Sequence, residues 1–120
     1  MKSIERLFVL WMPALVWCAL IFYGSSISSP QPTRDPLIDF VLHKLFHLFE
    51  YGVLFILVHR ATKSFSSTLL FIIFYAFSDE IHQSFVPTRE STLRDVLIDF
   101  IGGLLGWRVL LLVRQKKQKK

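Results

Sequence analysis

The sequence contains a single cysteine, Cys18, so no intramolecular disulfide can form and no cysteine-based zinc spacing exists. A Walker loop, a nucleophile elbow and a dinucleotide-binding glycine motif are missing, so nothing in the chain points to nucleotide use. The His-Glu-x-x-His arrangement of zinc proteases is also missing. There is no internal repeat and no low-complexity segment, and 120 residues are too few for a helical bundle plus a separate soluble domain.

What the chain has instead is apolar surface. Hydrophobic residues make up 52% and aromatic residues 15%, with twelve phenylalanines, too apolar for an ordinary soluble domain of this size and too patterned for disorder. The expected class is a small all-α integral membrane protein. About 20 apolar residues, and as few as about 17, cross a bilayer core. On that rule a single domain over residues 1–120 holds four spans, near 7–23, 42–60, 68–85 and 95–113, followed by a basic tail at 114–120. Residues 24–36, 61–67 and 86–91 read as connections. The small residues Gly24, Ser25 and Ser26 also resemble a signal-peptide cut site, but the preceding apolar run is long for a signal core and rich in Trp and Phe. Cys18, inside that run, is expected to be a lipid-facing or packing residue.

The net charge of +5 is unevenly placed. Lys2, Arg6, Arg60, Lys63 and the tail fall on one side of the spans. Arg34, Arg89 and Arg94 fall on the other, offset by Asp35, Asp39, Glu90 and Asp95. Lys/Arg bias in short loops puts the first side in the cytoplasm, with both termini there. The tail reads as a topology anchor near anionic lipid rather than as a nucleic-acid contact.

Against this apolar background stand three polar clusters: His43-Lys44-x-x-His47-x-x-Glu50-Tyr51, Asp79-Glu80-x-His82-Gln83, and Asp95-x-x-x-Asp99. A charge at membrane depth costs roughly 2.5–3.5 kcal/mol on insertion scales, so such residues are paired, hydrated or used. In the four-span arrangement all three clusters fall at one end of the bundle, on the outer side. His43, His47 and Glu50 share a helical face, with Tyr51 extending it, while Lys44 lies beside it and can snorkel outward. Asp79, His82 and Gln83 share a face, with Glu80 about 100° away. Asp95, Asp99, Gly102 and Gly106 form one stripe, and Gly-x-x-x-Gly spacing lets helix backbones approach closely, within the chain or between two copies. His at i and i+4 near a carboxylate is a weak zinc signal, and no metal or cofactor is assigned on it.

These residues carry a resemblance to the VanZ-like family of small bacterial membrane proteins. It runs from Phe22-Tyr23-Gly24-Ser25-Ser26 through Lys44-x-x-His47-x-x-Glu50-Tyr51 to Asp79-Glu80-x-x-Gln83-x-Phe85-x-Pro87-x-Arg89, then Asp95, Asp99, Gly102 and Gly106. Asp99 stands where the family often has Asn. The resemblance implies a multi-pass protein of the bacterial cytoplasmic membrane. The founding member is associated with low-level resistance to the glycopeptide teicoplanin, and the family has no settled reaction.

Two functions of different kinds are expected from these residues. In the first, an outer-side polar pocket binds an anionic envelope lipid, glycolipid or lipoglycopeptide. Lys44, Arg89 and Arg94 supply charge, Tyr51, Gln83 and His47 directed hydrogen bonds, and Glu50, Asp79, Glu80, Asp95 and Asp99 orientation. In the second, an intramembrane enzyme acts on a lipid-linked substrate, with Glu80 or Asp79 as acid or base, His47 or His82 as proton partner and Arg89 stabilising a developing anion. Membrane lipids are the expected partners and nucleic acid is not.

Overall fold

The computed structural model describes residues 2–26, 35–86 and 93–120, and these form four helices: α1 (Ser3–Ser26), α2 (Pro36–Thr62), α3 (Phe65–Ser84) and α4 (Leu93–Gln118). Each helix overlaps one of the apolar spans but starts before it, because end-group satisfaction rather than apolarity sets where a helix begins and ends. Asp35 caps α2, its carboxylate accepting from the Leu37 and Ile38 N–H groups at 2.9 and 3.4 Å, with Pro36 in the first turn. Lys63 ends α2 in the left-handed region, at φ 59°, and donates its N–H to the His59 carbonyl. Ser64 then caps α3 by accepting from the Ser67 N–H at 3.3 Å. The connection expected over 61–67 is thus only two residues long. At the other end α1 does not stop at Gly24. It continues through Ser25 and Ser26, and the Ser26 hydroxyl bonds back to the Phe22 carbonyl at 2.8 Å.

α1, α2 and α4 are long and apolar enough to cross a membrane. α3 has the length, 20 residues. Its last turns carry Asp79, Glu80, His82 and Gln83, which hold it below that apolarity. The exterior is studded with exposed large apolar residues, among them Phe8, Phe22, Phe46, Phe74, Leu97 and Val109. A water-facing surface rarely exposes apolar area on that scale.

Tyr51, Leu54, Phe55, Val58, Ile72 and Ala76 are fully buried and form the centre. The most extensive contact is between α2 and α4, and glycine makes it. A Cβ on Gly102 would lie 2.7 Å from the Leu48 carbonyl oxygen, and one on Gly106 would lie 2.9 Å from the Gly52 carbonyl carbon. The Gly102–Gly106 face is therefore filled by α2 of the same chain. A second copy could take it only by displacing α2. In lipid, helix association depends on such close packing and on interhelical hydrogen bonds rather than on hydrophobic burial.

Candidate functional site

α1 and α3 finish, and α2 and α4 begin, at the same end of the bundle, and the polar clusters meet there. Five carboxylates are buried at this end: Glu50, Asp79, Glu80, Asp95 and Asp99. They come from three helices, so each sits opposite residues that are distant in sequence.

Three cross-helix contacts define the floor. Lys44 of α2 forms an ion pair with Asp95 of α4. One turn deeper, His47 Nδ1 lies 3.0 Å from Asp99 Oδ1, with both side chains buried. One further turn along α2, the Tyr51 hydroxyl donates to Asp79 Oδ2 of α3 at 3.3 Å. Gln83, one turn after Asp79, gives its amide to the same Asp79 oxygen at 3.3 Å and to Ser25 Oγ of α1 at 3.2 Å. The positions 44, 47 and 51 thus face successive carboxylates down the bundle, as a helical stripe should. Among the described residues, Asp79 Oδ1 and Asp99 Oδ2 are buried and have no hydrogen-bond partner. Asp99 is 0% and Asp79 2% exposed.

The rim is less buried. The Arg94 guanidinium is exposed and lies over the Phe40 ring, 5.6 Å from its centroid, with Lys44 5.3 Å from the same ring. The His43 ring is 4.7 Å from that of His47. His82 stacks on Phe22 at 4.0 Å and bonds the Ser26 hydroxyl through Nε2 at 2.8 Å.

The sequence-predicted residues distribute as follows. Lys44, His47, Glu50, Tyr51, Asp79, Glu80, Gln83, Asp95 and Asp99 come together at this end, with Arg94 at its edge. Arg89 lies outside the described residues. Lys44 pairs with Asp95 of the neighbouring helix. One local expectation needs correction. His82 does not join Asp79 and Gln83 in the interior. Its ring takes the stacking place on Phe22, toward α1.

Sequence reasoning missed the contribution of α1. Ser25 and Ser26 read as a loop or cut site, yet they bond Gln83 and His82. Trp17, through its indole N–H, bonds the Glu50 carbonyl at 2.9 Å. A second polar group at the opposite end was also missed. His59 is buried there, with Arg114 Nη2 3.2 Å from its Nε2, Thr68 Oγ1 3.4 Å from its Nδ1, and Trp107 edge-on at 5.1 Å. The available signal was spacing: His43, His47, Tyr51, Phe55 and His59 recur every four residues.

A family model described as VanZ/LLP1 matches residues 8–114, and the chain belongs to that family. With its apolar helices, this makes it a membrane protein. No curated protein and no solved structure matches.

Proposed function

We propose that this VanZ/LLP1 protein sits in the bacterial cytoplasmic membrane with all four helices crossing and both termini inside. It binds there the headgroup of an anionic envelope lipid, glycolipid or lipoglycopeptide at its carboxylate-rich end, which faces outward. The orientation is supported by Lys2, Arg6, Arg60, Lys63 and the tail, which share the opposite end. A 20-residue α3 is about 30 Å long, enough to cross when its polar turns are covered by the other helices.

One observation carries the binding reading: polar side chains from all four helices converge at one depth in a bundle whose exterior is otherwise apolar. The ligand meets the rim. Arg94, exposed and held against Phe40, offers a planar donor fork for a phosphate or carboxylate. Ser26, His43 and His82 offer hydrogen bonds to sugar hydroxyls. Lys44, held by Asp95, contributes position more than charge, which shifts charge recognition to Arg94 and to Arg89 of the sequence motif. A lipoglycopeptide such as teicoplanin joins sugars, charge and an acyl chain, so altered sensitivity to it is a cellular consequence of the same reading.

The test is lipid-resolving native mass spectrometry of the purified protein against Arg94→Gln and Arg89→Gln. A discrete anionic species retained by the wild type and reduced at least tenfold in a variant, about 1.4 kcal/mol of binding, is the expected result. No retained species, or equal retention in all three proteins, rejects it.

The buried His47–Asp99 pair favours a second reading. A histidine oriented by a carboxylate is a general base in many enzymes. In that case Asp99 positions His47, and Asp79 or Glu80 supplies the acid in turnover of a lipid-linked substrate. A folded His47→Gln protein with full cellular activity excludes this reading.

A further inference from the structure

We propose that His47, Asp79 and Asp99 form a binding site for one divalent transition-metal ion of the zinc class. The three residues come from α2, α3 and α4, and one donor atom from each lies within 4.8 Å of the others. An ion centred among them would be at most about 2.8 Å from each donor. Zinc bonds to imidazole nitrogen and carboxylate oxygen are about 2.0–2.2 Å. Closing the site therefore draws each ligand in by less than about 1 Å.

The orphaned oxygens point to the ligand independently of that clustering. Tyr51 and Gln83 both donate to Asp79 Oδ2, and His47 takes Asp99 Oδ1. The oxygens left over, Asp79 Oδ1 and Asp99 Oδ2, are buried and have no hydrogen-bond partner among the described residues. A carboxylate oxygen buried without a partner is expensive, and both of these belong to carboxylates of the cluster, where a cation would offset the cost. Charge agrees. Two carboxylates and a neutral imidazole around a dication make a neutral set, which a low-dielectric bundle tolerates. The nearby ammonium of Lys44 is engaged by Asp95.

The donor set selects the kind of ion. One imidazole with two carboxylates suits zinc and its first-row neighbours, whereas calcium and magnesium prefer six or more oxygens. Tyr51 and Gln83 play the part of outer partners that fix a ligating carboxylate. Three protein ligands leave a coordination position open, as in zinc sites that take water or a substrate oxygen.

The site is independent of the headgroup reading, and its test uses no lipid. Chelator-treated full-length protein in detergent is titrated with zinc chloride by calorimetry, and bound metal is counted by mass spectrometry. Cobalt(II) is used in parallel for its ligand-field spectrum. One ion per chain is expected, with a tetrahedral-type cobalt spectrum. Binding should weaken at least tenfold in Asp99→Asn and in His47→Gln. Lys63→Gly, an exposed position at the opposite end of α2, should keep wild-type affinity. Helical circular dichroism and gel-filtration profiles confirm that each variant is folded. Absence of stoichiometric binding by the wild type overturns the proposal, and so does equal affinity in folded Asp99→Asn and His47→Gln. A variant that fails to fold is replaced by Asp79→Asn, judged by the same criterion. Protein that retains lipid but binds no metal rejects this site and leaves the headgroup reading standing. The converse result rejects the headgroup alone.

Discussion

Replacing Gly106 or Gly102 with alanine should separate α2 from α4 and loosen the polar end with it. The contact offers little give, because the atoms met are backbone. A Cβ at position 102 would lie 2.7 Å from the Leu48 carbonyl oxygen and 2.9 Å from the Leu48 Cα. Ordinary contact needs about 3.5 Å, so the helices must part locally by about 0.8 Å. Overpacking of this kind costs about 1–3 kcal/mol, and the upper end applies where backbone meets backbone. The strain is transmitted to the site: Asp99 precedes Gly102 by less than one helical turn, and its 3.0 Å contact with His47 spans the same interface. Two other glycines act as internal standards. A Cβ at Gly103 meets the Ile72 side chain at 3.2 Å, and that side chain can yield, so Gly103→Ala should cost under about 1 kcal/mol. A Cβ at Gly24 meets nothing within 4 Å, so Gly24→Ala in α1 should be neutral or stabilise by up to about 1 kcal/mol. The assay is reversible unfolding from mild detergent into denaturing detergent, followed by fluorescence of Trp11, Trp17 and Trp107. The reasoning fails if Gly102→Ala and Gly106→Ala match wild type within about 0.5 kcal/mol, or if Gly24→Ala is the most damaging of the four.

Two further outcomes are expected. Removing one partner of the half-buried Lys44–Asp95 pair, by Lys44→Met or Asp95→Asn, should destabilise by about 1–3 kcal/mol, while the double variant should recover part of the loss. A double-mutant cycle by the same unfolding assay checks this, and strictly additive losses would show that the two residues do not act as a pair. Lys63→Gly, at the left-handed end of α2, should stabilise by up to about 1 kcal/mol, because glycine adopts φ 59° without Cβ strain and Lys63 is exposed. A lower unfolding midpoint in Lys63→Gly would contradict it.

Whatever depends on one helix at a time was legible in the sequence. The apolar runs located four helices, and the spacing of His47, Glu50 and Tyr51 placed them on one buried face. The stripe of Asp95, Asp99, Gly102 and Gly106 likewise turned inward, and all four are buried. Partner choice was not legible, because it is decided between helices. Nothing in the spacing of α2 says that Lys44 meets Asp95 rather than Asp79, or that His47 meets Asp99. Those pairings depend on the vertical register of α2 against α4, and glycine sets that register. Gly52 packs against Gly106, and Gly102 against Leu48, so the two helices are locked with Asp99 opposite His47. Gly52 looked unremarkable in sequence because a lone glycine in an apolar helix has no pattern to belong to. The limits of the helices were hidden for a different reason. Hydropathy reports where apolar residues stop, while Asp35, Lys63 and Ser64 stop a helix by satisfying its end groups.

The register also explains why a bundle this small retains so much buried charge. A helix pair held together by apolar contact alone can slide by a turn at small cost, since lipid is as apolar as the interface. A slide of one turn, about 5.4 Å, would here part Lys44 from Asp95 and His47 from Asp99 together and take Gly106 off Gly52. The polar pairs and the glycines therefore specify the same alignment by independent means. Neither device accounts for the second oxygens of Asp79 and Asp99, which contribute nothing to register and add desolvation cost. Local rules of burial tend to be broken where a protein acts rather than where it is merely held together. By that argument the part of the acidic floor that alignment leaves unexplained, His47 with the unpartnered faces of Asp79 and Asp99, is where function is best sought.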